Sequence, residues 1–196
     1  MKRPFEAWIL YLFLMLFSAN AFYGGSSLIL APDGSLLGMN TGWLDKSPFS
    51  SFLVPGILLT LFMGIFPLVA LFGLLTKNQN PFFHILNIYP ENYWGWTYSL
   101  YCGITTIFWI IVQQMLTEYF ILQPIIAGVG LFIIIFTLMP RVQKYYNRIQ
   151  NRAILENKLK KESDLVKADS LEVLKGFKDI DYVDKTFCRF KSTNRD

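Results

Sequence analysis

Long runs of apolar residues alternate with short polar segments over the first 139 positions of the chain. Four runs reach the length of a membrane span, and none contains Lys, Arg, Asp or Glu: residues 8–30, 52–76, 94–116 and 120–139. A helix needs about 20 mostly apolar residues to cross about 30 Å of hydrocarbon. The pattern therefore predicts an all-α fold, with a polytopic membrane four-helix bundle in residues 1–139 and a cytoplasmic juxtamembrane helix and tail in residues 140–196.

The connections between the runs differ in composition. Residues 31–51 are dense in Gly, Pro, Ser, Asn and Asp and include the turn sequence Pro32, Asp33 and Gly34, so we expect an ordered outer loop. The third and fourth runs are joined by only a few residues, which makes their helices antiparallel neighbours. A proline within the second run, Pro67, predicts a kink there.

The connection between the second and third runs is rich in aromatic rings, which favour the headgroup level of a membrane. We expect this segment to lie on the inner leaflet, with the following rings at the interface: Phe82, Phe83, Tyr89, Tyr93, Trp94 and Trp96. The single histidine, His84, also belongs to this segment and is interpreted as an interfacial residue.

Basic residues follow the fourth run at helical spacing. Arg141, Lys144, Arg148 and Arg152 advance by three or four positions, which places them on one face of a helix. Such a face attracts anionic lipid headgroups. The same residues could instead serve only to stop translocation and hold the topology.

The remainder of the tail, residues 162–196, mixes both signs of charge and has too few apolar residues for a core of its own. We expect one short helix here, capped near Asp169 or Ser170 and closed near Gly176. A cytoplasmic protein partner is the interpretation we favour for this segment.

The distribution of charge predicts the orientation. Basic residues near the first, second and fourth runs fall on one side of an alternating four-helix arrangement, whereas the opposite side holds only Lys46 against Asp33, Asp45 and Glu118. The positive-inside rule then places both termini in the cytoplasm and the protein in the cytoplasmic membrane. Residues 1–21 resemble a signal peptide, but the apolar run is longer than a signal core, so we favour an uncleaved helix.

Composition supports a membrane protein and argues against several other classes. Of 196 residues, 53% are hydrophobic, and the net charge of +4 comes from the tail, which holds 14 of the 18 Lys and Arg residues. Cys102 and Cys188 are predicted to be free thiols. No nucleotide loop, metal-ligand spacing or nucleophile motif is present, so we expect no cofactor and no metal, and we expect no nucleic acid as a partner.

Polar residues within the runs are few, and they mark a candidate ligand pocket between the helices near the outer face. Asn20 lies near the middle of the first run, and three glutamines lie near the hairpin of the third and fourth runs. Uncharged polar groups in lipid usually face other helices. The predicted pocket residues are Asn20, Trp43, Gln113, Gln114, Glu118 and Gln123.

Three stretches carry a resemblance to a known group. The segments GGSSLILAPDGSLLGM, SPFSSFLVPGILL and WIIVQQMLTEYFILQP resemble landmarks of a widespread group of small four-helix integral membrane proteins of bacteria and archaea. The resemblance covers roughly residues 24–139. It implies the helical membrane architecture and carries no activity with it.

Three functional hypotheses remain open at this level. The first is a non-enzymatic interaction or accessory protein of the membrane, whose tail contacts anionic lipid or a cytoplasmic partner, with a homo-oligomer as a further possibility. The second is a small-molecule or lipid binder or transporter that uses the predicted pocket. The third is a membrane enzyme acting on a lipid or quinone, with acid–base groups drawn from Asp33, Asp45, His84 and Glu118.

Overall fold

In the computed structural model, residues 3–79, 81–117 and 119–193 are described, and every regular element in these ranges is helical. The long helices are α1 (Phe5–Leu30), α5 (Trp94–Leu116), α6 (Leu122–Leu138) and α7 (Pro140–Thr193). Between α1 and α5 lie α2 (Leu53–Leu59), a π-helical turn (Thr60–Ile65), α3 (Phe66–Thr76) and the short α4 (Pro81–His84). Two 3-10 turns, Ser35–Leu37 and Thr41–Leu44, lie in the loop after α1.

Three helices in the described ranges are long and apolar enough to span a membrane: Phe5–Leu30, Leu53–Thr76 and Trp94–Leu116. A fourth span is counted when Leu122–Leu138 is taken together with the helix that follows the bend at Met139. Their outward faces are as apolar as their inward faces, with exposed side chains such as Leu12, Phe72 and Phe108. An all-round apolar helix is suited to lipid and not to water. The predicted helical fold is confirmed, with boundaries within three residues of those expected.

The long helices contact one another in pairs. Helix α1 packs against α2 and α3 on one side and against α6 on the other, and α5 packs against α3 and α6. We call the end that carries residues 31–52 and the α5–α6 connection the loop side. The end that carries residues 77–93 and the start of α7 is the tail side.

Glycines set the closest helix crossings. A Cβ atom added at Gly103 of α5 would lie 2.5 Å from Ile134 Cγ1 and 2.8 Å from the Gly130 carbonyl oxygen of α6. By contrast, a Cβ added at Gly128 would meet nothing within 4 Å. Small residues let helix backbones approach in lipid. Gly130 therefore serves the α5–α6 contact, and Gly128 does not.

The π-helical turn lies immediately before Pro67, where the sequence predicts a kink. The Phe66 N–H donates to the Leu61 carbonyl, five residues back, as a π turn requires. Proline lacks an N–H and its ring crowds the carbonyl four residues earlier, here that of Met63. The wider turn relieves that crowding. The hydroxyl of Ser18 on α1 donates to the Gly64 carbonyl at 2.7 Å and fixes the turn against its neighbour.

On the tail side, the carbonyl groups at the end of α3 accept hydrogen bonds from three other segments. The Tyr93 hydroxyl donates to the Gly73 carbonyl at 2.8 Å, and the Tyr146 hydroxyl of α7 donates to the Leu74 carbonyl at 3.0 Å. The guanidinium of Arg3 donates to the Leu75 carbonyl at 2.8 Å. The Gly73 carbonyl also accepts the Lys77 N–H at 2.9 Å, whereas the Leu74 and Leu75 carbonyls lie in the last turn, where a helix leaves its carbonyls without a backbone partner.

Three of the rings that we expect at the interface, one just before α5 and two in its first turn, are buried within the protein. Tyr93 and Trp94 are 0% exposed and Trp96 is 3% exposed, whereas Phe82 is 70% exposed. The indole N–H groups of Trp94 and Trp96 donate to the carbonyls of Asn78 and Thr137 at 2.6 and 2.7 Å. These polar tips find protein acceptors, so the three rings are satisfied within the core of the protein.

The first three turns of α7 belong to the same compact unit as the spans, which extends to Asn151 and not only to residue 139. Val142 and Tyr146 are fully buried and join the main core. Together with Tyr145 and Ile149, they form an apolar stripe beside the basic face, and this stripe packs against the main core.

A second unit begins at Arg152. It lies within α7, which is continuous to Thr193, so the separate short helix that we predict between Asp169 and Gly176 is wrong. The sequence after Pro140 contains no further proline, and a lone glycine costs only about 1 kcal/mol in a helix. Apart from half-buried Ala153, residues 152–170 are exposed. The side chains beyond Ser170 lie outside the described residues.

We expect Tyr146→Phe to destabilise the protein and Tyr145→Phe to leave its stability nearly unchanged. The Tyr146 hydroxyl contacts both the Tyr11 hydroxyl and the Leu74 carbonyl, whereas the buried Tyr145 hydroxyl has no hydrogen-bond partner among the described residues. Leaving a buried acceptor unsatisfied costs about 1–3 kcal/mol. Unfolding of the two variants in mild detergent measures the difference, and equal loss in both would contradict the role given to Tyr146.

Candidate functional site

A cavity of about 450 Å³ lies on the loop side of the spans. Its walls come from α1, α2, α5 and the start of α6, and residues 37–52 contribute to its cover. The lining residues are Phe17, Asn20, Ala21, Gly24, Leu28, Leu37, Met39, Leu44, Ser47, Pro48, Phe49, Phe52, Pro55, Leu58, Leu59, Met63, Trp109, Val112, Gln113, Leu116, Thr117, Phe120, Leu122 and Ile126.

Helical periodicity explains which side chains reach the cavity. On α1, positions 17, 20, 21, 24 and 28 form one face, and on α5, positions 109, 112, 113 and 116 do the same. The neighbouring amide Gln114 is exposed and is not among the lining residues. Asn20 is ten residues from the end of α1, so the cavity reaches about 15 Å along that helix at 1.5 Å per residue.

The segment over the cavity is held by its own hydrogen bonds and by a small apolar cluster. Leu28, Leu44 and Phe52 are buried together, and the Phe52 N–H donates to the Pro32 carbonyl at 2.8 Å. The predicted turn is present, with Gly34 at a φ of +81°. The Ser35 hydroxyl and N–H donate to Asp33 at 2.8 and 3.1 Å and lower the pKa of that carboxyl.

The α5–α6 connection forms the rim of the cavity and is linked by polar groups. The Thr117 hydroxyl donates to the Gln113 carbonyl at 2.8 Å, and the Gln123 side-chain amide donates to the Thr117 hydroxyl at 3.3 Å. Gln123 is fully buried. The glutamine therefore links the start of α6 to the end of α5, and it is not among the residues that line the cavity.

The structure brings two of the six predicted pocket residues to the cavity: Asn20 and Gln113. Trp43 does not line it but stacks on Phe120, which does, with ring centroids 5.8 Å apart. Glu118 lies outside the described residues. Gln113 thus lines the cavity, whereas Gln114 and Gln123, which lie on other faces of their helices, do not.

Sequence reasoning missed several lining residues. Trp109 and Val112 share the Gln113 face of α5, so the spacing of three and four residues around Gln113 could have found them. Ser47, Phe49 and Phe120 come from irregular segments, for which the sequence offers no periodic signal.

The chemistry of the lining is apolar with a few uncharged polar groups. Among the described residues that line the cavity, none is acidic, basic or histidine. Asp33, Asp45 and His84, the candidate acid–base groups, do not line it, and partial burial lowers the pKa of His84 in the tail-side connection. Within the ranges that the structure describes, no group of three or more potential ligands could hold a metal ion.

The basic residues predicted to meet lipid headgroups are all exposed: Arg141, Lys144, Arg148 and Arg152. Arg141 forms an ion pair with Glu6 of α1, with nitrogen and oxygen 2.9 Å apart. This pair connects the starts of α7 and α1 on the tail side. Arg141 is therefore shared between a protein contact and the exposed basic face.

Comparisons with protein families, with curated proteins and with solved structures each return no match for this chain. The resemblance to small four-helix membrane proteins stays a prediction.

Proposed function

We propose that this protein is a non-enzymatic membrane protein that binds a small apolar or amphiphilic molecule in the loop-side cavity. The observation that carries the proposal is the cavity itself, whose volume of about 450 Å³ lies in the range of about 300–1,000 Å³ typical of small-molecule sites. Its lining matches such sites, being mostly aliphatic and aromatic with a few polar groups.

The energetic cost of an empty space supports an occupant. Apolar groups that face an unfilled space lose the dispersion contacts that an occupant would make with them. Water is a poor occupant for walls that are mostly apolar. An apolar molecule or a lipid chain fits the lining better.

We further propose that four spans form a bundle with both termini in the cytoplasm, so that the loop side faces outward. The support is the charge distribution, since Arg3, Lys77 and Arg141 gather on the tail side. In a Cys188→Ser background, we expect an impermeant maleimide added to intact cells to label Lys46→Cys. Ser163→Cys should be labelled only after the cells are lysed, and labelling of Ser163→Cys in intact cells would refute this orientation.

Ligand binding can be measured through Trp109, which lines the cavity. We expect a monoacylglycerol with a brominated chain to quench tryptophan fluorescence of the full-length protein saturably, because bromine quenches indoles that it contacts. The saturable component should disappear in Trp109→Phe. Val112→Phe, which fills the cavity, should weaken binding by about fivefold or more through overpacking.

The matched control for that experiment is Ile111→Phe. Ile111 neighbours Val112 on α5 but is 51% exposed and does not line the cavity, so its replacement should leave binding unchanged. Quenching that rises without saturation and to the same extent in every variant would show only partition into detergent or lipid, and the proposal would fall.

The exposed basic face favours a second candidate function, contact with anionic lipid headgroups. Lys144, Arg148 and Arg152 all have exposed side chains and advance by four residues along α7. Each basic residue near an anionic surface contributes about 1 kcal/mol. A cytoplasmic protein partner for residues 162–196, and a homo-oligomer, are alternatives for the same part of the molecule.

Charge reversal tests this second candidate. We expect replacement of Lys144, Arg148 and Arg152 by Glu to lower the preference for spin-labelled phosphatidylglycerol over phosphatidylcholine, in reconstituted full-length protein, by about threefold or more. The matched control reverses Lys158, Lys160 and Lys161, which are exposed on the same helix but come later in the sequence. An equal effect of both sets of substitutions would show that the lipid preference depends on net charge and not on this basic face.

A further inference from the structure

The cavity contains neutral hydrogen-bonding groups at two depths. Asn20 lies near the middle of α1, and Gln113 lies three residues before the end of α5, about 5 Å from that end. Both side chains lack a hydrogen bond to the rest of the chain within the described ranges. Ser47 and Thr117 add hydroxyl groups near the rim.

An unpartnered amide deep in a membrane span is costly. Removing a polar group from water without a hydrogen bond costs several kcal/mol in an apolar medium, and the hydrocarbon region supplies no water. Leu or Ala at position 20 would avoid that cost. The amide is therefore suited to an occupant that supplies both a donor and an acceptor, or an acceptor alone, at that depth.

The lining also discriminates by charge. A carboxylate, phosphate or ammonium group in this space would find no opposite charge among the described lining residues. Buried charges need partners, and burying one without a partner costs more than burying any neutral group. A carboxamide, in contrast, both donates and accepts, so it pairs with a hydroxyl or a carbonyl.

Resting on the proposed binding function, we propose that the ligand is an uncharged amphiphile, whose hydroxyl or carbonyl group hydrogen-bonds to Asn20 within the span and whose apolar body fills the rest of the cavity. Gln113 contributes a second, weaker contact at the rim, where water competes for the same groups. Long-chain alcohols, acylglycerols and quinones share this chemistry, whereas fatty acids and phospholipid headgroups do not.

The test compares brominated probes that share the same alkyl chain and differ in their end group. The affinity of the full-length protein for each probe is measured by quenching of Trp109 fluorescence. The probes are an alkane, an alcohol, a methyl ketone, a carboxylate at pH 8 and a quaternary ammonium. We expect the alcohol or the ketone, or both, to bind about threefold or more tighter than the alkane. The two charged probes should bind about tenfold or more weaker than the better neutral probe. The relative affinities of alcohol and ketone then distinguish hydroxyl from carbonyl ligands.

Substitutions at Asn20 and Gln113 test which side chain causes the preference for a neutral polar end group. We expect Asn20→Leu to reduce the affinity for the alcohol or ketone to that for the alkane, with alkane binding retained, and Gln113→Leu to have a smaller effect. Gln114→Leu is the matched control, because this exposed amide is adjacent in sequence and does not line the cavity.

The outcomes separate the two proposals. Saturable binding of the alkane with no preference for a neutral polar end, or a preference that survives Asn20→Leu, overturns the ligand class and leaves the binding function standing. Tighter binding of a charged probe also overturns the ligand class. No saturable binding of any probe overturns both proposals.

Discussion

Hydrogen bonds from three other segments to the carbonyl groups at the end of α3 organise the tail side of the structure. Donors come from the chain start, from the segment before α5 and from α7, through Arg3, Tyr93 and Tyr146. The rings of Tyr93 and Tyr146 are also buried in the core between the helices, so these two side chains provide both hydrogen bonds and packing. One helix end thereby holds together three segments that are distant in sequence.

The loop side is built differently. Helices α1 and α2 approach closely where Gly25 and Gly56 meet, since a Cβ at Gly56 would lie 3.1 Å from the Gly25 carbonyl oxygen. Helices α5 and α6 approach through Gly103 and Gly130. Between these two close pairs, the side chains of the loop side leave an open apolar cavity in place of a hydrogen-bonded core. A hydrogen-bonded attachment of segments and an apolar cavity thus lie at opposite ends of the same helices.

Hydrophobic runs predict most of the fold because a helix that faces lipid must be apolar over its whole length. The ends of the predicted runs agree with the ends of the observed helices within three residues. The burial of Tyr93, Trp94 and Trp96 could not be predicted, since an aromatic ring is equally suited to an interface and to a core whose backbone acceptors it can reach. For the candidate site, composition identifies Asn20 and Gln113, but the cover of the cavity depends on loop geometry that has no periodicity. Gln123 illustrates the limit, because only the direction of its side chain shows that it joins two helices and does not face the cavity.

The π-helical turn at Thr60–Ile65 also sets the rotational register of the second span. A π turn accommodates one more residue than the α-helical turn that it replaces, so residues before it are rotated by about 100° relative to a continuous helix. Pro55, Leu58 and Leu59 precede the turn and line the cavity in this register. The π turn therefore allows the two halves of the second span to take different rotational settings. Helix α3, after the turn, is held by the hydrogen bonds of the tail side, and α2, before the turn, forms a wall of the cavity.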